Sequence, residues 1–276
     1  MIPAAFDYVR AGSVDEAVAL LAEHGEDAKL LAGGHSLLPL MKLRLATPAV
    51  LVDVGRLSEL SYVRDRGDHL AVGALTRHRD LQVDPLLAAH APLLAHVAGQ
   101  VGDPQVRHRG TIGGSVAHAD PASDLPAALL ALRAVVVARG PGGDREVPVD
   151  ELFTGFLETS LDPGEVLVEI RVPKVGGIGW SFQKFNRRAQ DWAIVAVACL
   201  AGPTPGIGLV NMGSTPLRAR AVEEAVRSGA PEVQAAAMAA EGTEAGDDVN
   251  ASAEYRRHLA RVLVRRALEE SAAGTR

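Results

Sequence analysis

The spacing of apolar residues changes character along the chain, and each change marks an element. After Ser13, apolar Val14, Ala17, Val18, Leu20 and Leu21 recur at helical spacing, and Ser13-Val14-Asp15-Glu16 reads as a capping box. Residues 28–31 read as a short buried strand. Residues 36–45 read as a short helix begun by the Ser36 hydroxyl, with Leu37, Leu40, Met41 and Leu45 on one stripe. Apolar runs at 51–54, 69–73 and 134–138 predict strands, and periodic stretches near 81–87, 93–97 and 125–132 predict helices. Ser123 and Asp124 supply the cap of the last of these. Strands and helices joined by short connections predict an α+β fold.

Pro173 and glycines 176, 177 and 179 break the pattern, placing a boundary near 174–179. Beyond it, 180–185, 193–200 and 206–212 read as three strands separated by turn residues. After Pro216, residues 219–228, 233–240 and 252–271 read as helices. No internal repeat or low-complexity segment interrupts this order.

Composition narrows the function classes. With 276 residues, 47% of them hydrophobic and 22% charged, the chain can bury two modest cores and is not a disordered type. A net charge of −6 gives no reason to expect a nucleic-acid or anionic-membrane partner. The single cysteine, Cys199, lies in the apolar run 193–200 and reads as a buried thiol. One cysteine forms no intrachain disulfide and does not hold an iron–sulfur cluster, so any such centre belongs to another chain. The first ten residues lack a basic stretch leading into an apolar core, and no apolar run reaches the roughly 18 residues of a membrane span. The expected location is therefore cytoplasmic. No Gly-x-Gly-x-x-Gly follows a strand and no Gly-Lys-Ser/Thr loop occurs, which removes the usual support for nicotinamide or nucleoside triphosphate binding.

The candidate chemistry lies in two glycine-rich segments about eighty residues apart, Ala32-Gly33-Gly34-His35-Ser36 and Thr111-Ile112-Gly113-Gly114-Ser115. Each places small residues between structured elements, where backbone N–H groups are free to face a diphosphate with no side chain in the way. Two such segments point to a dinucleotide. Arg107 and Arg109, just before the second, offer cationic company for phosphate. His35 and His118 invite a metal or acid–base reading, but no His-x-x-x-His or His/Cys cluster surrounds them. No metal site and no catalytic acid, base or nucleophile is expected.

At these residues a resemblance enters. The run from Leu31 through Gly33, Gly34 and His35 to Arg44 resembles the first FAD-binding loop of the flavoprotein (medium) subunits of molybdenum hydroxylases, the carbon monoxide dehydrogenase and xanthine dehydrogenase type. Asp103-Pro104-Gln105-Val106-Arg107, Arg109-Gly110-Thr111-Ile112-Gly113-Gly114 and Ala117-His118-Ala119-Asp120-Pro121 resemble the second. Further matches at Ile170-Arg171-Val172-Pro173, Lys184-Phe185, Asp191-Trp192-Ala193, Tyr255-Arg256 and Arg266-Ala267-Leu268 extend the resemblance over essentially the whole chain. It implies a two-part FAD-binding domain of the vanillyl-alcohol-oxidase/PCMH type over 1–176. A C-terminal domain over 177–276 would follow, with a three-stranded antiparallel sheet and a helical bundle.

The implied cofactor contacts are Ala32, Gly33, Gly34, His35, Ser36 and Leu37 in the first segment. In the second they are Thr111, Ile112, Gly113, Gly114, Ser115, His118 and Asp124. Leu161 adds apolar contact, and Lys184 and Trp192 match positions beside the flavin ring, where a cation favours the reduced anion and an aromatic covers one face. Ser115 stands where relatives often carry Asn or Asp, and Trp192 where tyrosine also occurs. The resemblance further implies a large molybdopterin partner and a small partner with two [2Fe–2S] clusters, arranged as a dimer of heterotrimers. Electrons would pass through FAD to an external acceptor. Two other readings stay open at this point: a self-contained FAD oxidoreductase, and a non-redox binding or assembly protein.

Overall fold

The computed structural model describes residues 2–274. The chain opens with β1 (Asp7–Arg10), α1 (Val14–His24), β2 (Ala28–Leu31), α2 (Leu37–Leu43) and β3 (Val50–Asp53). The three strands form a parallel sheet in the order β1-β3-β2, with Asp7 and Ala28 both registered on Val50. Ser13 caps α1 by accepting from the Glu16 N–H at 3.1 Å, as the sequence predicts. The Glu16 carboxylate reaches back one residue further than a capping box requires, to the Gly12 N–H at 2.6 Å. α1 buries Ala17, Val18 and Leu21 against Val50, Val52, Val166 and Val168, which forms a small core of its own.

A second unit begins with β4 (Val63–Asp65) and β5 (His69–Gly73). Six helices follow: α3 (His78–Val83), α4 (Pro85–His90), α5 (Pro92–Gln100), α6 (Pro104–Arg109), α7 (Ile112–His118) and α8 (Asp124–Ala131). The stretch predicted as one helix at 81–87 is two, because Asp84 caps α4 by accepting from the N–H groups of Leu86 and Leu87 and Pro85 starts it. The unit continues through β6 (Val135–Gly140), β7 (Gly143–Pro148), α9 (Val149–Leu152), β8 (Phe153–Gly155), β9 (Glu158–Thr159) and β10 (Val166–Pro173). An antiparallel five-stranded sheet, β4-β5-β10-β6-β7, results, with a bulge between Leu167 and Glu169.

The remainder holds β11 (Trp180–Phe185), β12 (Val195–Leu200), β13 (Gly206–Val210), β14 (Leu217–Arg218), α10 (Arg220–Arg227), α11 (Glu232–Ala237) and α12 (Ala253–Ala273). The three expected strands are present and antiparallel. A two-residue strand, β14, joins the edge of β13 and makes the sheet four-stranded. β12 is buried on both faces, and its alternation divides two cores. Ala196, Ala198 and Leu200 pack with α8, whereas Val195, Val197 and Cys199 pack with Leu259, Leu263 and Val264 of α12. The sheet approaches α8 so closely that a Cβ at Gly206 or Gly208 would collide with the carbonyls of Ala131 and Ala127. Cys199 is buried as predicted, and its thiol is pushed up to about 11 by burial.

Candidate cofactor-binding site

The two glycine segments meet. Gly33 lies against the backbone of α6's end, where an added Cβ would collide with the Arg109 carbonyl and stand 3.1 Å from the Gly110 Cα. Gly113 lies against Ala74, whose carbonyl oxygen would be 2.7 Å from such a Cβ. Close approach of backbone to backbone is therefore what these two positions require of glycine. At both positions the missing side chain serves protein packing as well as the wall of the cavity described below.

The segments differ in what they offer an anion. In the first, Gly34 adopts φ 78°, and the N–H groups of Gly33, Gly34, His35, Ser36 and Leu37 have no hydrogen-bond partner among the described residues. Successive free N–H groups around a residue of positive φ form an anion-holding concavity. The Ser36 hydroxyl, expected to cap the following helix, makes no capping bond, because Ser36 itself is helical at φ −102°, ψ −52°.

The second segment is the first turn of α7. Thr111 caps it by accepting from the Gly114 N–H at 3.2 Å, while the N–H groups of Ile112 and Gly113 donate to Thr76 and Ala74 at 3.1 and 2.9 Å. Most of its donors are thus spent on protein. Ile112 is 0% exposed, packs in the main core and is not among the residues that line the cavity.

All the other predicted contacts line one cavity of about 650 Å³: Ala32 to Leu37, Thr111, Gly113, Gly114, Ser115, His118, Asp124, Leu161, Lys184 and Trp192. That volume lies in the range of cofactor pockets. Leu21, Leu30, Leu60 and Val166 form an apolar end between α1, the parallel sheet and β10. At the other end stand residues that follow the 174–179 break, Lys184 on β11 and Gln190, Asp191 and Trp192 in the connection to β12. Trp192 is 59% exposed, so it covers the cavity from outside and is not a core residue.

Lys184 is not a free cation. Its Nζ donates to Asp124 Oδ2 at 2.6 Å and to the Gln100 carbonyl at 3.1 Å, and the paired side chains are only 10% and 6% exposed. Burial pushes the Asp124 carboxyl up, with Lys184 pulling the other way. Asp124 Oδ1 is buried with no hydrogen-bond partner among the described residues. His118 ends α7, and burial lowers its pKa against the opposing pull of Asp120. Arg107 does not reach the cavity; its guanidinium donates to the carbonyls of Val101 and Gly102 at 3.1 Å. Arg109 is likewise outside the lining, and its carbonyl accepts from Arg77.

Sequence reasoning passes over His78, a buried residue of the cavity wall whose Nε2 lies 3.2 Å from Ser115 Oγ. Nothing local marks it: a lone histidine in Arg77-His78-Arg79 carries no motif.

A long cavity, apolar at one end, crossed by a concavity of free N–H groups and closed by a buried ion pair, defines a protein that holds a dinucleotide cofactor. Comparison with known proteins says which. Residues 4–175 match the family described as the FAD binding domain in molybdopterin dehydrogenase, and 180–271 match the CO dehydrogenase flavoprotein C-terminal domain. The carbon monoxide dehydrogenase medium chain of Hydrogenophaga pseudoflava is 45% identical over 97% of each chain. The 6-hydroxypseudooxynicotine dehydrogenase complex subunit alpha of Paenarthrobacter nicotinovorans is 39% identical over 98% of this chain and 96% of that one.

Among solved structures, the Hydrogenophaga pseudoflava carbon monoxide dehydrogenase lacking the Mo-pyranopterin moiety superposes with a TM-score of 0.96 over 99% of both chains, at 45% identity. Quinoline 2-oxidoreductase from Pseudomonas putida 86 gives 0.91 at 32% identity, over 100% of this chain and 99% of that one. The chain belongs to the FAD-binding medium subunits of the molybdenum hydroxylases, a family of oxidoreductase subunits. Its two-part mixed fold is that of the family, and no helix among the described residues is long and apolar enough to cross a membrane.

Proposed function

We propose that this chain is the electron-transfer subunit of a molybdenum-containing hydroxylase or dehydrogenase, standing between the [2Fe–2S] clusters of a small partner and an external acceptor. A large partner would hold molybdopterin and oxidise the substrate, with two copies of each chain in the assembly. The division into 1–176 and 177–276 belongs to the same proposal, as does a cytoplasmic location. When bound, FAD supplies the redox chemistry, taking electrons singly and releasing a pair; the protein supplies the shape and the electrostatics.

The observation that carries this reading is the closure of one cavity by residues from both sides of the 174–179 break. In it the N–H groups from Gly33 to Leu37 would hold the diphosphate, and Ser115, Thr111 and His118 would line its other side. The residues fit FAD: the apolar end suits the adenine, the Lys184 and Trp192 end suits the flavin ring, the free N–H groups suit two phosphates, and Asp124 Oδ1 is a buried acceptor lacking a donor among the described residues. Trp192 at the surface end would screen the cofactor from water while leaving a short path to a docked partner. Lys184, neutralised by Asp124, would present N–H to a cofactor oxygen and add little net charge.

Purification with co-expressed partners, an absorption spectrum, chromophore release and a gel test the reading. FAD with iron–sulfur absorbance and two further chains, one large and one small, is the expected result. FAD in a solitary chain that turns over substrate replaces it with a self-contained oxidoreductase. No flavin after reconstitution sinks both.

A further inference from the structure

One buried imidazole in the cavity wall lies outside both glycine segments. His78 opens α3 and is 2% exposed. Its Nε2 lies 3.2 Å from Ser115 Oγ, and its Nδ1 is buried with no partner among the described residues. The His78 N–H donates to the Gly110 carbonyl at 3.1 Å, and a Cβ on Gly110 would stand 2.6 Å from the ring's Cδ2 and Nε2. Main chain therefore fixes the ring on one side and Ser115 on the other.

We propose that His78 is a positioning residue for the cofactor diphosphate: its Nε2–H donates to Ser115 Oγ, which leaves the Ser115 hydroxyl proton free to donate into the cavity. The proposal rests on the FAD reading above. A neutral imidazole carries one N–H, and its two tautomers have different consequences here. With the proton on Nδ1, a buried N–H has no acceptor, and Ser115 gives its proton to Nε2 and shows an anion only lone pairs. With the proton on Nε2, Nδ1 is a bare lone pair and Ser115 remains a donor.

The surroundings favour the second. The charges of His35 in the first glycine segment, Arg77 just before α3 and Arg107 in α6 all act against a proton on this ring. A positive environment tolerates an unpaired lone pair better than an unpaired N–H. Burial and these neighbours push the imidazole down to about 4, so it stays neutral at physiological pH. The arrangement also adds a side-chain donor to the second segment, where the N–H groups of Ile112, Gly113 and Gly114 are spent on Thr76, Ala74 and Thr111.

The test is a titration of the flavin-stripped full chain with FAD, followed by flavin fluorescence. Ser115→Ala and His78→Asn, whose amide falls short of Ser115, should each weaken binding roughly tenfold; the double variant should be no weaker, and His78→Gln should stay within about twofold of wild type. Ser115→Ala binding like wild type, additive losses in the double variant, or His78→Gln as weak as His78→Asn each overturns the proposal. If His78→Asn does not fold, the proposal still requires loss in Ser115→Ala and retention in His78→Gln. A wild-type chain that takes up no FAD is a different failure, that of the cofactor reading itself.

Discussion

Replacing Lys184 with methionine keeps the length of the side chain and removes its charge, which isolates the buried pair. Among the described residues the Asp124 carboxylate would then keep no partner for either oxygen, since Oδ1 has none there and Oδ2 bonds to Lys184 at 2.6 Å. An uncompensated charge at this depth costs about 3–5 kcal/mol, a large share of an ordinary domain's stability. The cost has a pH signature. Burial already holds the Asp124 carboxyl above its ordinary range, and without Lys184, which pulls it down, it rises further. Between the unfolded and the raised folded value the native state binds more protons than the unfolded state, so stability is present at low pH and falls as pH rises through that window.

Urea unfolding of the flavin-free chain at pH 5 and pH 8 measures this directly. Lys184→Met should be several kcal/mol less stable than wild type at pH 8 and recover much of the deficit at pH 5. The double variant Lys184→Met with Asp124→Leu should be more stable than Lys184→Met alone, because it removes the orphaned charge. A deficit below about 1 kcal/mol that does not change with pH would mean that water reaches the pair, and the burial argument would fail.

Three other expectations follow from the same geometry. Gly33→Ala drives a Cβ into the Arg109 carbonyl and should reduce both thermal stability and flavin retention, whereas Gly114→Ala disturbs only the Thr111 cap and should cost about 1 kcal/mol. Equal losses in melting scans and flavin assays of the two variants would contradict the assignment of Gly33 to the junction. His78, lowered from 6.5 to about 4, binds its proton more readily unfolded, so stability should fall as pH drops through that interval, by at most about 3 kcal/mol. His78→Gln should flatten that part of a melting-temperature profile, and an unchanged slope would place the titration elsewhere. Trp192 at the cavity mouth should lose fluorescence when FAD binds, while Trp192→Phe should leave a Trp180 signal that responds little; the reverse pattern would move the ring to another end.

Much of this architecture is visible as local pattern. Ser13, Asp84-Pro85 and Asp103-Pro104 are start signals readable without a structure, although the apolar spacing at 81–87 hides the break that Asp84 makes. β10 has a period-two signature in Val168, Ile170 and Val172 alternating with Glu169 and Arg171, yet pattern reading leaves it out, and only 170–173 enter through the resemblance. The bulge at Leu167/Glu169 interrupts its register with β6. The helix at Ile112 cannot be inferred locally, because paired glycines in a first turn cost about 1 kcal/mol each relative to alanine. Contact of Gly113 with Ala74, about forty residues earlier, makes the difference. His78 and the Lys184–Asp124 pair depend in the same way on partners distant in sequence.

Gly206 and Gly208 set backbone against backbone where the last sheet crosses α8, with no layer of side chains between them. Such a seam limits modularity. A recombined chain that joined this first part to a related second part would need small residues at both positions and the matching alanines of α8, or the two halves would be wedged apart. Cutting the chain at 176 would strip the cover from α8 and remove Lys184 from Asp124 in one step. The cofactor cavity is thus inherited only by the uncut chain, and exchange of parts among such subunits is restricted to partners whose contact faces carry equally little bulk.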